Sequence, residues 1–166
     1  TYSCGIFARP DSTLEEASVE KIDRACRKLD LRPGDRLLEI GTGWGALALH
    51  AAGHYGCHVT TTTISQAQHD AAARRIAASG LAHRITLLQQ DYRDLTGTYD
   101  KLVSIEMIEA VGADFLETYL AKCSSLLKPD GGSARVLGLD IVADADAVRR
   151  RISLTGQFAS VDEDLT

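Results

Sequence analysis

Residues 37–45 read LLEIGTGWG. An apolar run ends in Glu39 and passes at once into Gly41, Gly43 and Gly45, alternating with Thr42 and Trp44. Glycine permits positive φ and close backbone approach. A helix that follows offers free N–H groups and positive dipole character. Such a turn holds a phosphate, a carboxylate or a ribose. The spacing is G-x-G-x-G, not the dinucleotide G-x-G-x-x-G, and the Lys-Ser/Thr of a phosphate loop is missing. Glu39 repels a pyrophosphate but accepts from an ammonium or a hydroxyl. A nucleoside with an amino-acid tail therefore suits the turn better than NAD. Trp44 reads equally as a pocket wall and as packing at the helix start.

The flanking text supplies a fold for this turn. Upstream, STLEEASVEKIDRACRKLDL reads as a helix capped by Ser12 or Thr13, its apolar positions Leu14, Ala17, Ile22, Ala25, Cys26 and Leu29 mostly on one face. RLLEI is a short buried strand, and WGALALHAAGHYG starts a short helix that ends near Gly53 or Gly56. CHVTTTTI is β-branched and reads as a second strand. SQAQHDAAARRIAASG is a helix with Ser65 as cap and Gly80 as stop. RITLLQQ and YDKLVSIEMI are the third and fourth strands, and ADFLETYLAKCSSLLK is a further helix. Strands alternating with helices predict an α/β fold, a mostly parallel sheet with helices on both faces. Ligands of such sheets bind outside the carboxyl ends of the strands. The segments EIGTGWG, TTIS, QQDY and SIEMIEAVG all fall at those ends.

Composition narrows the function. The chain has 166 residues, 45% of them apolar, and a formal net charge of -5. One core fits this length. The charge leaves no footprint for nucleic acid, and no apolar run reaches the length of a membrane span. Cys4, Cys26, Cys57 and Cys123 are too scattered for a zinc cluster or a disulfide framework, which favours a reducing cytoplasm. No histidine pairs with carboxylates at metal-ligand spacing, and no metal site is expected. A text that starts at Thr1 reads as a trimmed chain or a fragment.

The other rim residues have two readings each. Thr60 to Thr63 close the second strand where NAD sites prefer an acid for the ribose, and none is present. Thr63 and Gln68 offer polar contacts, or else β propensity and a solvated face. Asp91 follows the third strand, where an acceptor can meet an exocyclic amine, and Tyr92 can stack beside a base. Asp94 reads as a loop cap. Glu106 and Glu109 follow the fourth strand. Either can orient a substrate or act as a base, or simply sit at the surface. Cys4 can close over the site; taken alone, such a cysteine is inert.

Together, YSCGIF, TLEEA, KIDRACRKLDLRPGDRLLEIGTGWGALALHAA, VTTTTIS, QDYRDLTGTYDKLVSIEMIEAVG and CSSLLKPDG resemble the cyclopropane-fatty-acyl-phospholipid synthases over about residues 1–131. The resemblance implies a Rossmann-like methyltransferase fold that uses S-adenosylmethionine. It implies methyl transfer to the cis double bond of an unsaturated phospholipid acyl chain, with bicarbonate taking the proton lost on ring closure. By the same resemblance, Tyr2 and Ser3 lie near the methionine part of the cofactor. Gly41 and Gly43 line its amino-acid tail, with Trp44 beside them. Thr63 and Gln68 reach toward the ribose, and Asp91 and Tyr92 flank the adenine. Cys4 and Glu109 match two members of the bicarbonate cage. Many relatives read Glu-His where this chain has Glu109-Ala110. A lipid substrate implies peripheral membrane contact, although no basic amphipathic helix marks it.

After Gly131 the text departs from the family. Residues 131–166 form an atypical tail beside the 1–130 core and resemble an internal segment of a drug-exporter ABC transporter ATP-binding subunit, with Gln157 as its loop glutamine. SARVLGLDI has strand character and is the candidate fifth strand. A family sheet normally has seven strands, so a shortened one exposes an edge that invites a homo-oligomer and weakens catalysis. The alternative to an active methyltransferase is a protein that binds the cofactor, or a partner, without turnover.

Overall fold

The computed structural model describes residues 4–128 and the short strands Arg135–Val136 and Leu139–Asp140. Two compact units divide between Lys128 and Pro129. The first is built on strands β1 (Arg36–Ile40), β2 (His58–Thr62), β3 (Ile85–Leu88) and β4 (Lys101–Val103), in the order β3-β2-β1-β4 and all parallel. Helices α1 (Leu14–Lys28), α2 (Ala46–His54), α3 (Gln66–Ala78) and α4 (Leu116–Leu126) alternate with them, as the sequence predicts.

β1 is the central strand and is buried on both faces. Leu37 packs with Cys26, Ala48, Ala51, Val59 and Val103 on one side. Leu38 and Ile40 pack with Leu95, Tyr99, Tyr119 and Leu126 on the other. This alternation follows from the two-residue period of a strand. It places Glu39 on the Leu37 side, in register with Thr61 of β2 and Val103 of β4.

The local signals explain the helices. Thr13 accepts from the Glu16 backbone N–H while the Glu16 carboxylate accepts from that of Thr13, a capping box that starts α1. Ser65 caps α3 by accepting from the Gln68 N–H. α1 buries Ala17 and Cys26, but Leu14 is 63% exposed and stands off the predicted apolar face. Asp23 of α1 ties down α2 and the residue after it: its Oδ1 accepts from Tyr55 Oη at 2.7 Å and lies 3.0 Å from His50 Nε2. Those bonds and Arg27 hold the Asp23 carboxyl below the usual carboxylate range.

Two strands differ from expectation. β4 stops at Val103 instead of running on to Ile108, because the chain bends at Ser104–Glu106 and Glu106 takes a φ of 53°. The Ser104 hydroxyl donates to the Ile40 carbonyl at 3.0 Å and fixes that bend against β1. SARVLGLDI is not one strand: β5 (Arg135–Val136) and β6 (Leu139–Asp140) pair antiparallel with each other. Beside the start of β4, Tyr99 and Leu127 form a single parallel bridge, closed by Tyr99 N–H to Leu126 O and Lys128 N–H to Tyr99 O, both 2.8 Å. Gln157 and the rest of the tail lie outside the described residues.

Truncating the wholly buried Leu38 to alanine is expected to cost about 2–5 kcal/mol in urea unfolding. Leu14→Ala, on the exposed flank of α1, is expected to stay within about 0.5 kcal/mol of the parent.

Candidate functional site

The site grows out of the end of β1. Gly41 and Thr42 donate their N–H groups to the Thr62 carbonyl at 3.1 and 3.0 Å, which locks the turn onto the end of β2. Gly41 has a φ of 102° and Gly43 a φ of 51°, both in the region that favours glycine. They differ in surroundings. A Cβ on Gly41 meets the Met107 side chain at 3.3 Å, whereas one on Gly43 meets nothing within 4 Å. The open side of the turn is therefore at Gly43. Gly45 is the N-cap of α2, and no side chain caps the helix. Its first N–H groups are left for a ligand or water, with the positive end of the helix dipole behind them.

A hydroxyl chain runs beneath this turn. Thr61 Oγ1 donates to Glu39 Oε2 at 2.7 Å and lies 2.7 Å from Thr42 Oγ1. Glu39, Thr42 and Thr61 are all buried. Burial pushes the Glu39 carboxyl up to about 8, and the Thr61 bond only partly opposes it. Thr61 thus serves more than β propensity; its pairing with Glu39 shows only once register is known.

The remaining rim residues are occupied to different degrees. The Thr63 hydroxyl donates to Gln68 Oε1 at 2.9 Å and accepts from the Ser65 N–H, so the two candidate ribose contacts are partners of each other. Asp91, and not Asp94, caps the short turn Tyr92–Asp94. Its carboxylate accepts from the Arg93 backbone and guanidinium at 2.7–2.9 Å, which holds it below the usual range. Tyr92 packs edge-on against Tyr119, with centroids 5.0 Å apart. Trp44 is 42% exposed, and its carbonyl accepts from Arg75.

After β4, Glu109 is exposed on the turn Ile108–Ala110. Cys4 meets Glu106: its thiol lies 3.2 Å from Glu106 Oε1. Lys21 of α1 forms an ion pair with the same carboxylate oxygen, and both side chains are less than a quarter exposed. Lys21 was not legible as a site residue, since lysine on a helix ordinarily reads as a solvated face. Tyr2 and Ser3 lie outside the described residues.

The family model described as mycolic acid cyclopropane synthetase matches residues 1–154. The chain belongs to this family. The match runs past Gly131 to residue 154 and so takes in much of the segment expected to be an atypical tail. A probable fatty acid methyltransferase of Pseudomonas putida is 42% identical over 132 residues, 78% of this chain and 34% of the relative. The cyclopropane-fatty-acyl-phospholipid synthase of Escherichia coli is 43% identical over 130 residues, 78% of this chain and 33% of the relative. The chain thus spans about a third of the length of these curated relatives. Mycolic acid cyclopropane synthase CmaA1, solved in complex with SAH and CTAB, superposes with a TM-score of 0.75 at 35% identity, over 79% of this chain and 46% of that one. The fold of this family member is the Rossmann-like methyltransferase fold.

Gly41→Ala is expected to destabilise the fold by more than about 1 kcal/mol, because positive φ and the Met107 contact act together. Gly43→Ala carries the strain of its φ alone and is expected to cost less. Paired urea titrations of the two variants check the order.

Proposed function

We propose that this chain is the cofactor-binding part of an enzyme that transfers a methyl or methylene group from S-adenosylmethionine to the cis double bond of an unsaturated phospholipid acyl chain. The observation that carries the reading is the open glycine turn at the end of β1, with the buried Glu39 beneath it and uncapped α2 behind it. Family membership and the SAH-bound relative point the same way.

The residues fit such a cofactor. Gly43 leaves room for close approach, the first N–H groups of α2 face a carboxylate, and Glu39 lies below where an ammonium would settle. When bound, the cofactor supplies an electrophilic methyl group on a sulfonium. Thr63 and Gln68 orient the ribose with their remaining hydrogen-bonding capacity, and Tyr92, held by Tyr119, gives a wall for the base. Trp44 adds exposed aromatic surface at the mouth. Cys4 and Glu109 are the proposed residues nearest the chemistry.

Bicarbonate belongs to the same proposal as the proton acceptor. Among the described residues, Cys4 faces Glu106 and Glu109 is exposed on its turn. These two alone do not enclose an anion. The acyl substrate implies contact with a membrane surface, and no helix among the described residues is long and apolar enough to cross one.

Incubation with S-adenosylmethionine labelled in its methyl group and vesicles of unsaturated phospholipid is expected to move label into the lipid. Vesicles of fully saturated phospholipid are expected to take none. Thermal stabilisation by S-adenosylmethionine, with no shift from NADH or ATP, is the accompanying binding result. Stabilisation without label in the lipid would contradict transfer by this chain and leave cofactor binding alone as its activity.

A further inference from the structure

Glu39 is a carboxyl with no described cation beside it. It is 5% exposed, and its hydrogen bond comes from the neutral Thr61 hydroxyl. The groups that face it are few. β2 supplies Thr61 and β4 supplies Val103, both in register with it. Thr42 of the turn reaches it through Thr61. From α1 comes the Cys26 thiol, which burial keeps neutral by raising it to about 12. Among the described residues no Lys, Arg or His forms an ion pair with Glu39. A buried carboxylate without a counter-ion is costly, so the proton stays on until a cation arrives.

The turn above it suits one kind of cation. The N–H groups at the start of α2 favour an anion, and Glu39 favours a positive charge. The two together match the carboxylate and the ammonium of an α-amino acid. We propose that Glu39 is a proton-coupled receptor for the ligand's ammonium group, protonated in the free protein and ionised as the amino-acid tail settles on Gly41–Gly43. The carboxyl loses one proton, which passes to solvent, and the resulting carboxylate becomes the counter-ion of the ammonium. No redox partner is involved. The inference rests on the S-adenosylmethionine reading of the site and adds a charge-linked step to it.

The sign follows from the state that binds. The ionised form of Glu39 holds the amine, so affinity rises with pH while the free carboxyl is protonated and levels off once it is ionised without ligand. The position near 8 puts the rise below and around neutrality.

Calorimetry of the whole chain with S-adenosylhomocysteine, in buffers of different ionisation enthalpy, reads the proton directly. Near neutral pH, release of about one proton per bound ligand is expected, and affinity is expected to climb up to about tenfold per pH unit. The comparison ligand, 5′-methylthioadenosine, lacks the amino-acid tail and is expected to release none. In Glu39→Gln the proton release disappears and the pH dependence flattens. A second variant, Thr61→Val, removes the hydroxyl that favours the ionised carboxyl, so release persists and the affinity rise moves to higher pH. Binding of S-adenosylhomocysteine by the parent without proton release overturns this inference and leaves the cofactor reading standing. Unchanged release in Glu39→Gln overturns it as well. No binding at any pH overturns the cofactor reading itself, and this inference with it.

Discussion

The structure depends on one strand being buried twice over and then opening abruptly. β1 is paired on both edges and packed on both faces. Its Leu37 and Leu38 are wholly buried on opposite sides, which sets the position and rotation of the strand within the sheet. Everything functional follows from where that strand ends. Glu39 must then point among Thr61, Val103 and Cys26, and the chain must leave the sheet through a turn that only glycine takes without strain. The two N–H bonds from the turn to the Thr62 carbonyl make β2 part of the same support.

Two carboxylates near the carboxyl ends of the strands meet opposite fates. Glu106 leaves the sheet at positive φ and finds Lys21 and the Cys4 thiol, an arrangement that joins α1 and the N-terminal segment to the connection after β4. Glu39 has a hydroxyl alone and is pushed toward neutrality. Glu106 is committed to an ion pair, whereas no Lys, Arg or His among the described residues pairs with Glu39.

Much of this was legible in the sequence. The glycine turn, the alternation of strands and helices, and the caps Thr13 and Ser65 are local signals, and local signals survive folding. What was not legible depends on register and long-range contact. Thr61 matters because parallel pairing sets it opposite Glu39, a relation between residues 22 apart in sequence. The partnership of Lys21 and Glu106 spans 85 residues. Asp91 looked like a free acceptor because nothing in the order of residues says that Arg93 folds back onto it. The apolar pattern predicts strand four through Ile108, whereas the bend after Val103 is set by Ser104 bonding to β1. The likeness to the synthases supplied roles for Cys4 and Glu109. The geometry adds that the nearest described carboxylate to the Cys4 thiol is Glu106.

Under the proposed function, the turn after β1 seats an amino-acid-bearing nucleoside at the carboxyl ends of the strands. A crystal structure of the chain grown with S-adenosylhomocysteine tests it most directly. Ligand density is expected with the amino-acid end over Gly41–Gly43 above Glu39, and the base toward Asp91 and Tyr92. Density at the opposite ends of the strands, or a saturating ligand that leaves the glycine turn untouched, would contradict it.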